Sequence, residues 1–291
     1  MILTNKFNLP ESIVSAIKND AYDAGDSDYT ATQLVIPPRI TLLTKRHALE
    51  IREDASENIW RLLGQAVHSI LERADHDNEL HEERIFARIC DRRISGATDV
   101  FNDRGVLQDY KVTSAWTRVY GSRMEDWEIQ LNILAHLFRS AGFAVHKLEV
   151  VCIYRDWSAT QSLRSEDYPK QPVEVIPIPL WPSEDAIDLI QSRVEFLVKC
   201  EPKPDAELPP CTPVDMWEKA TTYAAMKSGR KSAVKVCLNE DEAASIVASG
   251  KATHVEIRPG KRTRCEDYCS VNRWCNQYAA YVAERGEVAD E

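Results

Sequence analysis

Residues 94–114 read ISGATDVFNDRGVLQDYKVTS, and they set Asp99, Asp109 and Lys111 into a stretch otherwise patterned as a β-hairpin around Asn102-Asp103-Arg104-Gly105. If Asp103-Arg104-Gly105 is a three-residue loop with Gly105 in the left-handed position, Asn102 pairs with Val106, Phe101 with Leu107 and Val100 with Gln108. Asp99 then falls opposite Asp109. Opposed side chains share a face at about 4.5 to 5.5 Å, and Lys111, two residues on, points the same way. A loop of the other parity places the carboxylates on opposite faces. In the first register the two carboxylates repel unless a cation lies between them. Hard oxygen ligands so spaced suit Mg²⁺ or Mn²⁺, which keep positions for water and phosphate oxygens. Lys111 beside them would orient the attacking water and stabilise charge on a phosphate. The competing reading of D-x-K taken alone is an exposed Asp–Lys pair on the solvent face of a hairpin.

The flanking elements decide what joins these groups. From Ser56 to Ala74 the apolar residues Ile59, Leu62, Leu63, Ala66, Val67 and Ile70 recur at helical spacing, with His68 beside that stripe, one turn after Gly64. An imidazole added to two carboxylates favours Mn²⁺ over Mg²⁺; a lone histidine there otherwise packs at the helix edge. Two strands and a turn are expected from Arg84 to Ser114, and an amphipathic helix from Ser122 to Ala141, ended by Gly142. On that helix Gln130 shares a face with Trp127, Leu131, Leu134 and Phe138, so its amide needs a partner. Strands at 147–154 and 173–181 and a helix at 183–199 follow. The Pro-rich CEPKPDAELPPC (200–211) marks a linker or irregular crossing. Beyond it the pattern gives a short helix from Met216 to Met226, a basic KSGRK turn, a helix at 241–248 and a strand at 254–258. The expected class is α/β or α+β, a mixed sheet flanked by helices with a small C-terminal appendage. The expected divisions are 1–55, a helical or irregular segment; 56–200, the core; and 201–291, a cysteine-rich region.

Eight cysteines, an N-terminus without the pattern of a signal peptide and no apolar run near about 18 residues point to a cytosolic chain with no disulfide framework. A net charge of −10 argues against a protein that coats nucleic acid non-specifically. Yet Lys227 to Arg264 carries nine basic residues against four acidic ones, among them Lys227, Arg230 and Lys231 of the KSGRK turn. That segment is either a phosphate-binding surface or a solvated charged face. Cys265, Cys269 and Cys275 form a C-x3-C-x5-C trio, a strong metal signal because thiolates bind soft or borderline ions. A fourth thiolate must come from elsewhere; Cys90, Cys152 and Cys237 lie in strand-like runs and read as small buried apolar residues.

G-x-x-x-H (Gly64 to His68), G-x-x-D (Gly96 to Asp99), D-x-K (Asp109 to Lys111) and a Gln-led helix (Gln130), in this order, resemble the RecB-like branch of the PD-(D/E)XK nucleases over roughly residues 60–155. Thr98 stands in place of the nominal proline, and Leu134 where the branch often has tyrosine. The resemblance implies a restriction-endonuclease-like core, and Asp99, Asp109, His68 and the Tyr110 carbonyl as metal ligands. It also implies Lys111 at the scissile phosphate and Gln130 as a further catalytic group. The branch includes nucleases with a C-terminal iron–sulfur cluster, of the CRISPR-adaptation and AddB types. The closer resemblance is to phage-encoded exonucleases, whose C-terminal region reads like residues 211–236 followed by RPGKRTRCEDYC. On that basis the fourth ligand is Cys211, with Cys200 second, and the cofactors are Mn²⁺ or Mg²⁺ and a structural [4Fe-4S] cluster, four-thiolate zinc being the alternative. The expected activity is hydrolysis of DNA at ends or in single strands, with Lys227, Arg230 and Lys231 on the DNA. A recombination or replication protein is the implied partner, the membrane is not, and the location is the cytoplasm, of a bacterial host if the chain is phage-encoded. The rival reading is a non-catalytic, metal-stapled DNA- or protein-binding module that keeps the nuclease fold.

Overall fold

In the computed structural model, which describes residues 2–19, 25–74 and 78–286, the chain divides after Lys203 into two units, and the division falls inside the Pro-rich 200–211 segment. The first unit opens with β1 (Ile2–Thr4), α1 (Glu11–Lys18), β2 (Tyr29–Thr30), α2 (Ala31–Val35), α3 (Pro38–His47) and β3 (Arg52–Asp54). β1 and β3 pair in parallel. Asp54 ties them together: its carboxylate accepts from Thr4 Oγ1 at 2.8 Å, Lys6 N at 2.8 Å and Ser56 N at 3.1 Å. The same side chain caps the 3-10 turn Ala55–Asn58 that feeds α4 (Ile59–Glu72). The first residues are therefore part of this unit, and β2 extends β6 in parallel. The helical spacing from Ile59 to Ile70 does form one helix, but none of its residues is buried.

Next come β4 (Glu79–His81), β5 (Arg84–Ile89), β6 (Arg92–Ala97), β7 (Val100–Asn102) and β8 (Val106–Thr113). Two strands were expected over 84–114, and four are present. The extra turn is Cys90-Asp91, both residues left-handed at φ +49° and +58°, a conformation Asp tolerates but for which Cys gives no signal. Cys90 is consequently exposed at that turn instead of buried in a strand, whereas Cys152 and Cys237 are buried.

After β8 come α5 (Ala115–Tyr120), α6 (Met124–Ser140), β9 (Lys147–Tyr154), α7 (Ala159–Arg164), β10 (Val173–Ile178) and α8 (Ser183–Cys200). The main sheet has the order β10-β9-β8-β7-β4, with β8 and β9 parallel and the other neighbours antiparallel. A second sheet is ordered β2-β6-β5. Parallel neighbours require a crossover, and α6 lies in it, burying Trp127, Leu131, Leu134, Leu137 and Phe138. Phe138 meets Phe101 and Phe143 with ring centroids 5.2 and 5.5 Å away. Gly96 lets β6 approach α6 closely, because a Cβ there would overlap Leu134 Cδ2. Mixed sheets flanked by helices give the α+β architecture expected from the sequence.

The second unit contains β11 (Glu218–Lys219), β12 (Thr222–Met226), β13 (Lys235–Cys237), α9 (Glu240–Ala248), β14 (His254–Arg258), β15 (Lys261–Arg262), α10 (Thr263–Asp267) and α11 (Asn276–Glu284). The helix expected from Met216 to Met226 is instead a turn and two strands. β12 is paired on both sides, to β13 and β14, so its ladder partners outweigh the helix-compatible run of alanines.

Candidate active site

The chain leaves the main sheet between β4 and β5 and returns between β6 and β7, and the two crossings lie side by side. Glu82 N donates to Asp99 O at 3.3 Å, and Thr98 N to Glu83 O at 3.4 Å. Glu82 takes a left-handed backbone, φ +50°, which costs energy for a residue with a Cβ. Thr98 Oγ1 reaches the carbonyls of Val100 at 3.3 Å and Gln108 at 3.1 Å. A proline at 98 would supply no such hydroxyl, so this departure from the motif has a local role.

Gly105 closes the hairpin at φ +70°, and the register is Val100 with Gln108 and Phe101 with Leu107, the pairing expected for a three-residue loop. That register, continued one residue beyond the paired strand, faces Asp99 with Asp109, and Asp99 Oδ2 accepts from the Tyr110 N–H. Tyr110 itself sits in the β8–β9 ladder opposite Val151. The other Asp99 oxygen, Oδ1, lies 3.2 Å from His68 Nδ1, which is also 3.3 Å from Glu82 Oε1. The His68 and Tyr110 rings stand perpendicular, centroids 6.2 Å apart. Hydrogen bonds to Asp99 and Glu82 push the imidazole up to about 10, against the opposing effect of burial.

Asp109 is buried, only 4% exposed. Its Oδ2 has Lys111 Nζ at 2.5 Å as an ion partner, but no donor in hydrogen-bonding geometry. Burial pushes this carboxyl up, and the Lys111 ammonium offsets only part of the rise. His68, Glu82 and Asp99 each offer a ligand atom, all within 4.8 Å of one another, and this N/O set suits Mn²⁺ or Mg²⁺. Gln130 is half-buried on α6, with no hydrogen bond to Asp99, Asp109 or Lys111 among the described residues. Glu82 escapes sequence reasoning. Its only signal is the polar Glu82-Glu83 break between strands, and only the paired crossings carry it to His68.

In the second unit, Cys211 lies within electrostatic range of Cys265, Cys269 and Cys275, and burial, before the neighbouring Asp215 and thiols, pushes it up to about 12. Burial likewise pushes Cys265 up to about 11 and raises Cys269. A coordinated ion would deprotonate thiols raised in this way. Gln277 clamps the Cys211 backbone, accepting from its N–H and donating to its carbonyl, each at 2.8 Å, and Asn272 Nδ2 donates to Cys265 O at 3.0 Å. Cys200, the second choice, is buried at the end of α8 in the first unit. Lys227, Arg230 and Lys231 are exposed on the turn between β12 and β13, where Gly229 adopts φ +81°.

No family model matches the chain, and no curated protein does. Among solved structures, the crystal structure of SSO0001 is similar at a TM-score of 0.46 and 17% identity, over 66% of this chain and 86% of that one. Among the described residues no helix is long and apolar enough to cross a membrane.

Proposed function

We propose that the protein is a metal-dependent deoxyribonuclease of the PD-(D/E)XK type and RecB-like branch, and that Cys211, Cys265, Cys269 and Cys275 hold a structural [4Fe-4S] cluster. What supports the nuclease reading is a hairpin register that, continued one residue past Val100–Gln108, faces Asp99 with Asp109, with His68 against the first and Lys111 against the second. His68, Asp99 and Asp109, with the Tyr110 carbonyl and the adjoining Glu82, would hold the ion. A divalent cation bound there supplies positive charge to the phosphate and lowers the pKa of a water.

The chain's own groups account for the rest. The Lys111 ammonium, paired with Asp109, would face the phosphate oxygens and stabilise their charge as water oxygen bonds to phosphorus, the bond to the leaving nucleotide oxygen breaks, the water's proton passes to solvent and the leaving oxygen takes one from it. The Tyr110 N–H fixes the Asp99 carboxylate so that it does not reorient during the step. The test is cleavage of end-labelled single- and double-stranded DNA with Mn²⁺, with Mg²⁺ and with EDTA. Metal-dependent cleavage lost in Lys111→Ala is expected. Tight DNA binding without cleavage under any metal would instead establish the non-catalytic binding module.

A further inference from the structure

Every third or fourth residue of a helix shares a face, so Trp60, Gly64 and His68, at i, i+4 and i+8 of α4, form one stripe about 12 Å long at 1.5 Å per residue. The stripe ends on the imidazole of the candidate active site. Its other end is Trp60, 58% exposed, with the Arg155 guanidinium over the ring at 4.6 Å from the centroid. Between them, Gly64 has nothing within 4 Å of where a Cβ would stand. A helix-interior glycine is destabilising relative to alanine, and no packing inside the chain requires this one. It leaves the backbone bare where something from outside could lie.

A second aromatic surface stands at the same end of the sheet. Arg155 N donates to Thr113 O at 3.0 Å, which places Trp60's cationic partner at the end of β8, where α5 begins. Trp116 and Tyr120 on α5 stack at 5.9 Å with rings inclined 22°, and are 43% and 73% exposed. Such a short helix holds its aromatics in place only if anchored, and it is anchored throughout. Asp156 accepts from Ser114 Oγ at 2.6 Å and Ala115 N at 2.7 Å. Arg118 pairs with Glu174 at 3.2 Å, and Trp116 meets Tyr168 edge-on at 5.6 Å. Exposed aromatics on a braced scaffold, bordered by arginines, are the means by which proteins hold unpaired bases, because every base has a π face and every phosphate a charge.

We propose that Trp60 and the Trp116–Tyr120 stack are stacking platforms for single-stranded DNA, which runs past Gly64 toward His68. The proposal rests on the nuclease reading for its direction, and makes the unpaired strand the preferred substrate over intact duplex. The test measures affinity of the full chain in EDTA, where nothing is cut, for a labelled oligo-dT, for an abasic strand of equal length and charge, for oligo-rU and for a blunt duplex. The wild type should prefer oligo-dT to all three. Trp60→Ala and Tyr120→Ala should each lose about 5- to 100-fold on oligo-dT and little on the abasic strand, while Trp60→Phe, which keeps a ring, should retain most of the affinity. Equal affinity for dT and abasic strands, tighter binding of rU or duplex, or unchanged binding in the alanine variants would overturn the proposal, the last pointing to a protein partner on this face. Base-dependent binding without cleavage would remove the nuclease reading and leave the platforms standing. Cleavage without base-dependent binding would do the reverse.

Discussion

At the scale of single residues, the proposed activity makes Asp99, Asp109 and Lys111 one chemical unit, so deleting any of them should cost nearly everything the unit would provide. Lys111→Ala and Asp109→Ala are each expected to reduce cleavage by at least about 10³-fold with oligo-dT affinity in EDTA retained; near-normal rates in either purified variant would sink the assignment. Glu82 should behave differently. It touches the imidazole and not Asp109, so Glu82→Gln should raise the Mn²⁺ needed for half-maximal rate by about 10-fold or more while leaving the rate at saturating metal close to wild type. His68→Ala should raise the requirement further and erase any preference for Mn²⁺. A titration curve unmoved in both would remove them as ligands. This part of the site is unevenly legible in the sequence. Gly105 fixes the loop length, the loop length fixes the register, and the register sets Asp99 against Asp109; Glu82 reaches the site through two sheet crossings that no spacing rule encodes.

At the scale of elements, Asp54 shows how a single cap joins several segments. Its partners, Lys6 N first and then Ser56, hold the carboxyl well below its ordinary value of 3.8. A depressed folded pKa means that the contribution is complete above the unfolded value and is lost as pH falls through the folded one. The wild type should therefore lose melting temperature below about pH 4, and Asp54→Asn should flatten that part of the profile; identical acid profiles would refute the assignment. Gly64→Ala makes the opposite kind of prediction. The new methyl meets nothing within 4 Å among the described residues, so the variant should be more stable by about 1 kcal/mol in urea unfolding, yet bind oligo-dT more weakly. Elements with long, regular patterns, such as α6, β9 and α8, are legible to within a residue or two. The Cys90-Asp91 turn and β12 are not, since the first needs a strained backbone at a cysteine and the second owes its strand state to neighbours distant in sequence.

At the scale of the whole chain, two units of different construction invite different fates if the proposed metal is withdrawn. The first buries a large apolar core of its own, from Leu34 and Leu43 to Phe138 and Ile190. The second has two small sheets and short helices among the described residues, holds Cys211 to α11 through Gln277, and has its cysteines free of disulfides. A small domain of this kind would draw folding free energy from the proposed cluster. Full-length protein purified without oxygen should be brown, with about four irons per chain, and Cys211→Ser, Cys265→Ser, Cys269→Ser and Cys275→Ser should each bleach it. Bleaching by Cys200→Ser but not by Cys211→Ser would show the wrong fourth ligand. Chelation should split thermal unfolding into an early transition of residues 204–286 and a later one of the first unit, read by hydrogen exchange of each segment. A colourless protein with one zinc would preserve the four-thiolate site and refute the cluster, whereas a second unit equally protected before and after metal removal would refute any structural metal there.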